Sequence, residues 1–130
     1  MGTEYLMDSN AIIDFLGDRL TEGGKAFMNE VVNQIPKVSV ISKIEVLGFN
    51  APPKDSLLLE AFFQDAQIYP LDSTVVDITI QLRKILKIKM PDAIIAATAL
   101  AHQLTIVTRN TSDFDKIPGV VVIDPHSIGA

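Results

Sequence analysis

Short apolar runs alternate along this chain with stretches in which apolar residues recur at helical spacing, and the alternation persists from one end to the other. Tyr5-Leu6-Met7 predicts a first strand ending at Asp8, and Asn10 to Leu16 a helix on Ile12, Ile13 and Leu16, stopped by Gly17. Thr21 to Gln34 predicts a second helix with Phe27, Val31 and Val32 as its buried stripe, ended by Pro36. The β-branched run Val38-Ser39-Val40-Ile41 is expected to be the second strand, and Ser42 to Phe49 returns to helical spacing until Ala51-Pro52-Pro53 breaks it. Ser56 to Phe63 predicts a further helix, and Gln67-Ile68-Tyr69 a third strand closed by Pro70. Asp72 or Ser73 would cap a long helix carrying Val76, Ile80, Leu82 and Leu86. After Pro91, the Ala-rich segment Asp92 to His102 predicts a helix packed closely on a sheet, and Thr105-Ile106-Val107 and Val120 to Ile123 complete a set of five strands.

Helices between successive strands imply an α/β fold. The expectation is a three-layer α/β/α sandwich around a five-stranded, largely parallel sheet. No internal repeat, low-complexity segment or long linker interrupts it, so residues 1–130 are expected to form a single domain.

Composition narrows the chemistry. Cysteine is absent, which excludes disulfides, thiolate zinc sites and cysteine nucleophiles. Hydrophobic residues make up 48% and aromatics 6%, so the core is aliphatic. Neither a signal peptide nor a membrane-length apolar run is present, and the expected location is cytoplasmic. The net charge of −5 opposes a broad electrostatic grip on nucleic acid. Arg83, Lys84, Lys87 and Lys89 nevertheless form an acid-free basic run, read first as a solvated helix face and second as a phosphate-contacting patch.

Four carboxylates change the picture. Asp8, Glu45, Asp92 and Asp113 each follow a predicted strand or stand in the first turn of a predicted helix. In an open α/β sheet such positions face the carboxyl ends of the strands, where these folds bind ligands. Acids gathered there repel one another unless a divalent cation lies among them. All-oxygen ligation suits Mg²⁺ or Mn²⁺ and suits zinc or copper poorly. Each acid also has an ordinary alternative. Asp8 could make an Asx-turn, Asp92 an N-cap, Ser42-Lys43-Ile44-Glu45 a capping box, and Asp113 a cap on the turn that follows it. Among the remaining acids, Asp14 and Asp18 flank the end of the first helix and Asp124 belongs to the tail. Asp115 competes with Asp113, but Phe114 anchors between them, so one alone should face the site. His102 falls in a last helical turn and His126 in the tail. With no nucleophile and carboxylate arranged around either, a metal-free acid–base nuclease is not expected.

The motifs Leu6-Met7-Asp8-Ser9-Asn10, Ile41-Ser42-Lys43-Ile44-Glu45, Asp92-Ala93-Ile94-Ile95-Ala96-Ala97-Thr98-Ala99 and Val107-Thr108-Arg109-Asn110-Thr111-Ser112-Asp113-Phe114 stand in the order found in PIN-domain nucleases. The chain resembles in particular the VapC toxins of type II toxin–antitoxin pairs, over nearly its whole length. That resemblance implies a five-stranded parallel sheet between helices and a Mg²⁺- or Mn²⁺-dependent ribonuclease. It also implies a homodimer and a cognate antitoxin. Asp8, Glu45, Asp92 and Asp113 fall on the family's acidic positions, and Asn10, Thr108 and Asn110 on polar positions that support them. Two departures stand out: Ser9 where threonine is common, and Lys89-Met90-Pro91 where many relatives carry Gly-Asp or another acid.

The expected mechanism has Asp8 and Asp92 holding the ion most directly, Glu45 and Asp113 binding as further ligands or through water, and water attacking a phosphorus of the RNA backbone. Two rival readings remain at the sequence level. A receiver-type phosphoacceptor domain would need an acceptor aspartate after the third strand, where Tyr69-Pro70-Leu71 stands instead. A PIN-like domain that binds without catalysis would have no need to keep all four acids.

Overall fold

The computed structural model describes residues 2–129. Five strands form one sheet: β1 (Tyr5–Met7), β2 (Lys37–Ser39), β3 (Gln67–Tyr69), β4 (Thr105–Val107) and β5 (Val122–Ile123). Their spatial order is β3-β2-β1-β4-β5, and every pairing is parallel. Strand β1 is therefore central, in register with β2 through Met7 and Val38 and with β4 through Met7 and Val107. The connecting helices are α1 (Ser9–Leu16), α2 (Glu22–Asn33), α3 (Val40–Leu47), α4 (Pro53–Asp65), α5 (Ser73–Ile85), α6 (Met90–His102) and α7 (Thr111–Phe114). A 3-10 turn at Pro125–Ser127 is the last element of the described chain.

Alternation along the central strands sorts the core into two layers. Leu6 and Ile106 point to one face, where Val75, Leu82, Ile95, Phe114 and Ile117 cover them from α5, α6 and the segment around α7. Met7, Val38 and Val107 point to the other face, under Ile12, Met28, Val31, Val46 and Phe63 from α1 to α4. The result is an α/β/α sandwich of the kind expected, with the sheet buried on both sides. No helix among the described residues is long and apolar enough to cross a membrane.

Several boundaries and faces differ from the sequence expectation. Strand β2 stops at Ser39, and Val40 and Ile41 open helix α3 instead of extending the strand. Ser39 is the reason: its hydroxyl accepts the Ile41 amide at 3.1 Å and caps the helix there. The capping box of Ser42 and Glu45 is consequently not formed, and Ser42 is fully buried within the helix. On α2, Met28 is the fully buried side chain, while Phe27 and Val32 are only half-buried. On α5, Val75, Thr79 and Leu82 face inward, whereas Ile80 stays 46% exposed. Strand β5 is shorter than predicted, at Val122–Ile123: the Val120 amide bonds back to the Ile117 carbonyl, and Val121 contributes only its carbonyl, which accepts the Ile106 amide at 2.9 Å.

Candidate active site

In a parallel sheet every strand ends on the same rim, and that rim collects the start of each following helix. Asp8 follows β1 directly and caps α1, with extended backbone and its carboxylate accepting the Ser9 amide at 2.8 Å. Thr108 follows β4, the neighbouring strand, so its hydroxyl lies beside Asp8 and donates to Asp8 Oδ2 at 2.9 Å. Asn10, in the first turn of α1, closes the gap between the two strand ends. Its side-chain amide donates to Asp8 Oδ2 at 3.2 Å and to the Thr108 hydroxyl at 3.1 Å, and its Oδ1 accepts the Arg109 amide at 3.1 Å. The Thr108 hydroxyl also accepts the Asn110 amide at 3.1 Å. This web fixes Asp8 in position before any ligand arrives.

The other acids approach from different elements. Glu45 lies on α3 near β2, and the Ser9 hydroxyl donates to its Oε1 at 2.7 Å. Asp92 sits in the first turn of α6 at its third residue, not at the cap, which is Lys89. Asp113 lies inside the short helix α7 and does not cap it. Asp8, Glu45, Asp92, Asn10 and Asn110 line one open pocket of about 300 Å³. Thr108 is buried beside Asp8, and Asp113 lies outside the pocket lining but close enough for its charge to act on Asp92.

Electrostatics follow from this crowding. Burial pushes the Asp8 carboxyl up to about 6, and repulsion from Asp92 and Glu45 adds to the rise against the lowering effect of the Ser9 and Thr108 hydrogen bonds. Asp92 is likewise raised, first by burial and then by Asp113 and Glu45, with Lys89 and Lys116 partly offsetting them. Among the described residues no three acidic or histidine side chains stand at ligating distance from one common point. The donors still fit a hard divalent cation, since Mg²⁺ retains several waters and needs only one or two direct carboxylates.

The site also holds groups that sequence reasoning missed. Asp14, expected only to flank the end of a helix, is 1% exposed in the middle of α1's inner side. Arg109 Nη1 donates to both of its oxygens at 3.2 and 3.3 Å, and His126 Nε2 stands 2.8 Å from Oδ2. His126 therefore does have a carboxylate beside it, contrary to expectation. Arg19 and Arg109 line the same pocket as the acids. The one available signal was Arg109's place inside the Thr108–Asp113 motif.

Comparison with known proteins bears on the chain that carries this site. The model of the PIN domain matches residues 5–120. Of solved structures, a toxin–antitoxin complex from Klebsiella pneumoniae contains a chain 29% identical, with TM-score 0.74, over 96% of this chain and 100% of that one. FitAcB from Neisseria gonorrhoeae aligns at 26% identity and TM-score 0.76, covering 95% and 99% of the two chains. DNA-bound VapBC from Salmonella typhimurium aligns at 22% identity and TM-score 0.81, covering 95% and 99%. A comparison with curated proteins returns no match.

Proposed function

This chain belongs to the PIN-domain family, and from that premise we propose that it is a Mg²⁺- or Mn²⁺-dependent endoribonuclease acting as the toxin of a type II toxin–antitoxin pair. The observation that carries this reading is that Asp8, Glu45 and Asp92 line one pocket at one rim of the sheet, with Asp113 near enough to Asp92 for the two charges to repel. A fold gains nothing from such repulsion, whereas a bound divalent cation turns it into attraction. Asp8 and Asp92 would hold the ion most directly, with Glu45 and Asp113 as further ligands or through water. When bound, the ion supplies an activated water and neutralises charge on the phosphate oxygens.

The chain's own residues prepare that chemistry. Thr108 and Asn10 hold Asp8 Oδ2, so the carboxylate cannot rotate away when it is ionised. Ser9 holds Glu45 against the start of α1. The N-terminal turns of α1 and α6 carry Asp8 and Asp92, and their amide dipoles favour an anionic substrate alongside. Asn110 lines the same pocket beside the strand end.

A protein partner belongs to the same reading, as a cognate antitoxin and a second copy of the chain. The Klebsiella relative was solved as a toxin–antitoxin complex. Supporting a partner here is an apolar groove of about 430 Å³ between α5 and α6, where Leu71, Ile80 and Met90 are each roughly half exposed. The reading also takes residues 1–130 as one domain working on RNA in the cytoplasm.

Cleavage of RNA by the purified protein tests it. Activity should require added Mg²⁺ or Mn²⁺, stop with EDTA, and fall about a thousandfold in Asp92→Asn, because Asn keeps the shape while the charge on the ion is lost. Asp115→Asn should cleave as the parent does. Undiminished cleavage in excess EDTA would refute the metal mechanism, and an Asp115→Asn protein as inactive as Asp92→Asn would show that both acids of the pair serve the site.

A further inference from the structure

A pocket built from carboxylates repels the polyanion it is proposed to cut, so something in its wall must attract phosphate. Two cations line it, Arg19 and Arg109. Arg109 is held at both ends. Its backbone amide is bound by Asn10 Oδ1 at 3.1 Å, and its Nη1 by Asp14. The side chain is nevertheless 52% exposed, and among the described residues Nε and Nη2 have no partner. Part of the guanidinium of this pocket-lining residue is thus left free while Nη1 is held.

The other end of this contact is unusual for a structural ion pair. Asp14 is buried on a helix whose neighbouring inward residues, Ala11 and Ile12, are apolar. Burying a carboxylate there gives little stability over an apolar residue, because desolvation offsets the attraction. What the buried carboxylate does provide is a rigid anchor, reinforced by His126 on Oδ2, one of the two oxygens that Arg109 also contacts. Fixing a long side chain beforehand lowers the ordering cost of binding. A guanidinium is also suited to phosphate, which accepts parallel hydrogen bonds from its planar fork.

We infer that Arg109 is a substrate-binding residue that takes an RNA backbone phosphate next to the scissile one, and that Asp14, backed by His126, is the positioning residue that aims it. This inference rests on the ribonuclease reading above. It extends that reading to three residues outside the four acids of the site.

Binding of a fluorescein-labelled single-stranded RNA oligonucleotide, followed by anisotropy in EDTA and in Ca²⁺ across a salt series, separates the possibilities. Arg109→Gln should weaken binding about tenfold and lower the slope of log affinity against log salt by about one. Arg109→Lys should restore the slope but only part of the affinity. Asp14→Asn should weaken binding while leaving the slope near that of the parent, since the charge remains but is no longer aimed. The Asp14→Asn/Arg109→Gln double variant controls for folding, because it removes the uncompensated buried charge; it should melt near the parent and still bind weakly. Recovery of parental RNA affinity in that double variant would overturn the inference and leave Arg109 as a structural staple. So would parental affinity and slope in Arg109→Gln. Either result leaves the ribonuclease reading standing if the parent still cleaves RNA. A parent that neither binds nor cuts RNA would overturn both.

Discussion

Asp8 shows what a single residue contributes when its neighbours are chosen for function. Its backbone caps α1, its carboxylate is held by Ser9, Asn10 and Thr108, and burial still pushes it up to about 6. A raised carboxyl in the folded state means the fold prefers the protonated form. The associated stability is fully present below the unfolded value of 3.8 and is lost as pH rises through about 6. At 1.36 kcal/mol per pH unit this is worth about 3 kcal/mol. Denaturant unfolding in EDTA should therefore show the protein losing stability between about pH 4 and pH 7. Asp8→Asn should flatten that dependence and be more stable than the parent at pH 7 by about 1–2 kcal/mol, the gain being reduced by one weakened acceptor. A variant less stable than the parent at pH 7 would mean that the hydrogen bonds Oδ2 accepts from Asn10 and Thr108 outweigh the cost of the charge. The positions of Asp8, Asp92 and Asp113 were legible in the sequence because each stands next to a strand end or in a first helical turn, whereas Glu45, expected in a first turn, is the sixth residue of α3 because that helix starts at Val40. Asp14 was not legible. Its partners Arg109 and His126 lie 95 and 112 residues further on, and nothing local distinguishes a buried, paired aspartate from a surface one.

Among the elements, α3 carries Glu45 to the site, and its starting point is where sequence and structure part. Val38 to Ile41 has strand composition, and Ser42-Lys43-Ile44-Glu45 has the spacing of a capping box. In the fold the helix begins at Val40 without an intervening loop, since Ser39 caps it while still in the ladder with Tyr69. Tertiary packing overrode β-propensity, because Ile41 packs on the layer formed by α5 and α6 and Val46 on the opposite layer. Two serines three residues apart thus acquire opposite roles. Ser39→Ala removes the cap and should cost about 1 kcal/mol, with some loss of activity through Glu45. Ser42 Oγ is buried with no hydrogen-bond partner among the described residues, so Ser42→Ala should be neutral or stabilising by up to about 1 kcal/mol. Urea unfolding of both variants checks the pair. The reverse order of effects would restore the capping box as the operative cap.

For the molecule as a whole, the alternation of strands and helices was enough to give the three layers, because crossover connections in a parallel sheet leave few other arrangements. The chain's last segment was not legible, since its role depends on contacts with α1 and α2, more than a hundred residues earlier. The Thr21 hydroxyl donates to the Ile128 carbonyl at 2.7 Å, His126 meets Asp14, and Asp124 Oδ1 accepts the His126 amide at 2.9 Å. Helix α2 admits this segment only because its first turn contains Gly23 and Gly24. A Cβ on Gly24 would run into the Pro125 carbonyl, which is backbone and cannot swing aside. Within a helix, Gly→Ala ordinarily gains up to about 1 kcal/mol. Here the displaced backbone should reverse the sign, for a net loss of about 1–2 kcal/mol. The damage should also be local first: amide hydrogen exchange at His126 should accelerate in Gly24→Ala while the central strands keep their protection. If His126 anchors Asp14 and Asp14 aims Arg109, the same variant should bind RNA more weakly although its substitution lies on another helix. A Gly24→Ala protein that is more stable than the parent and binds RNA equally well would show that the tail packs loosely on α2 and carries no information to the pocket.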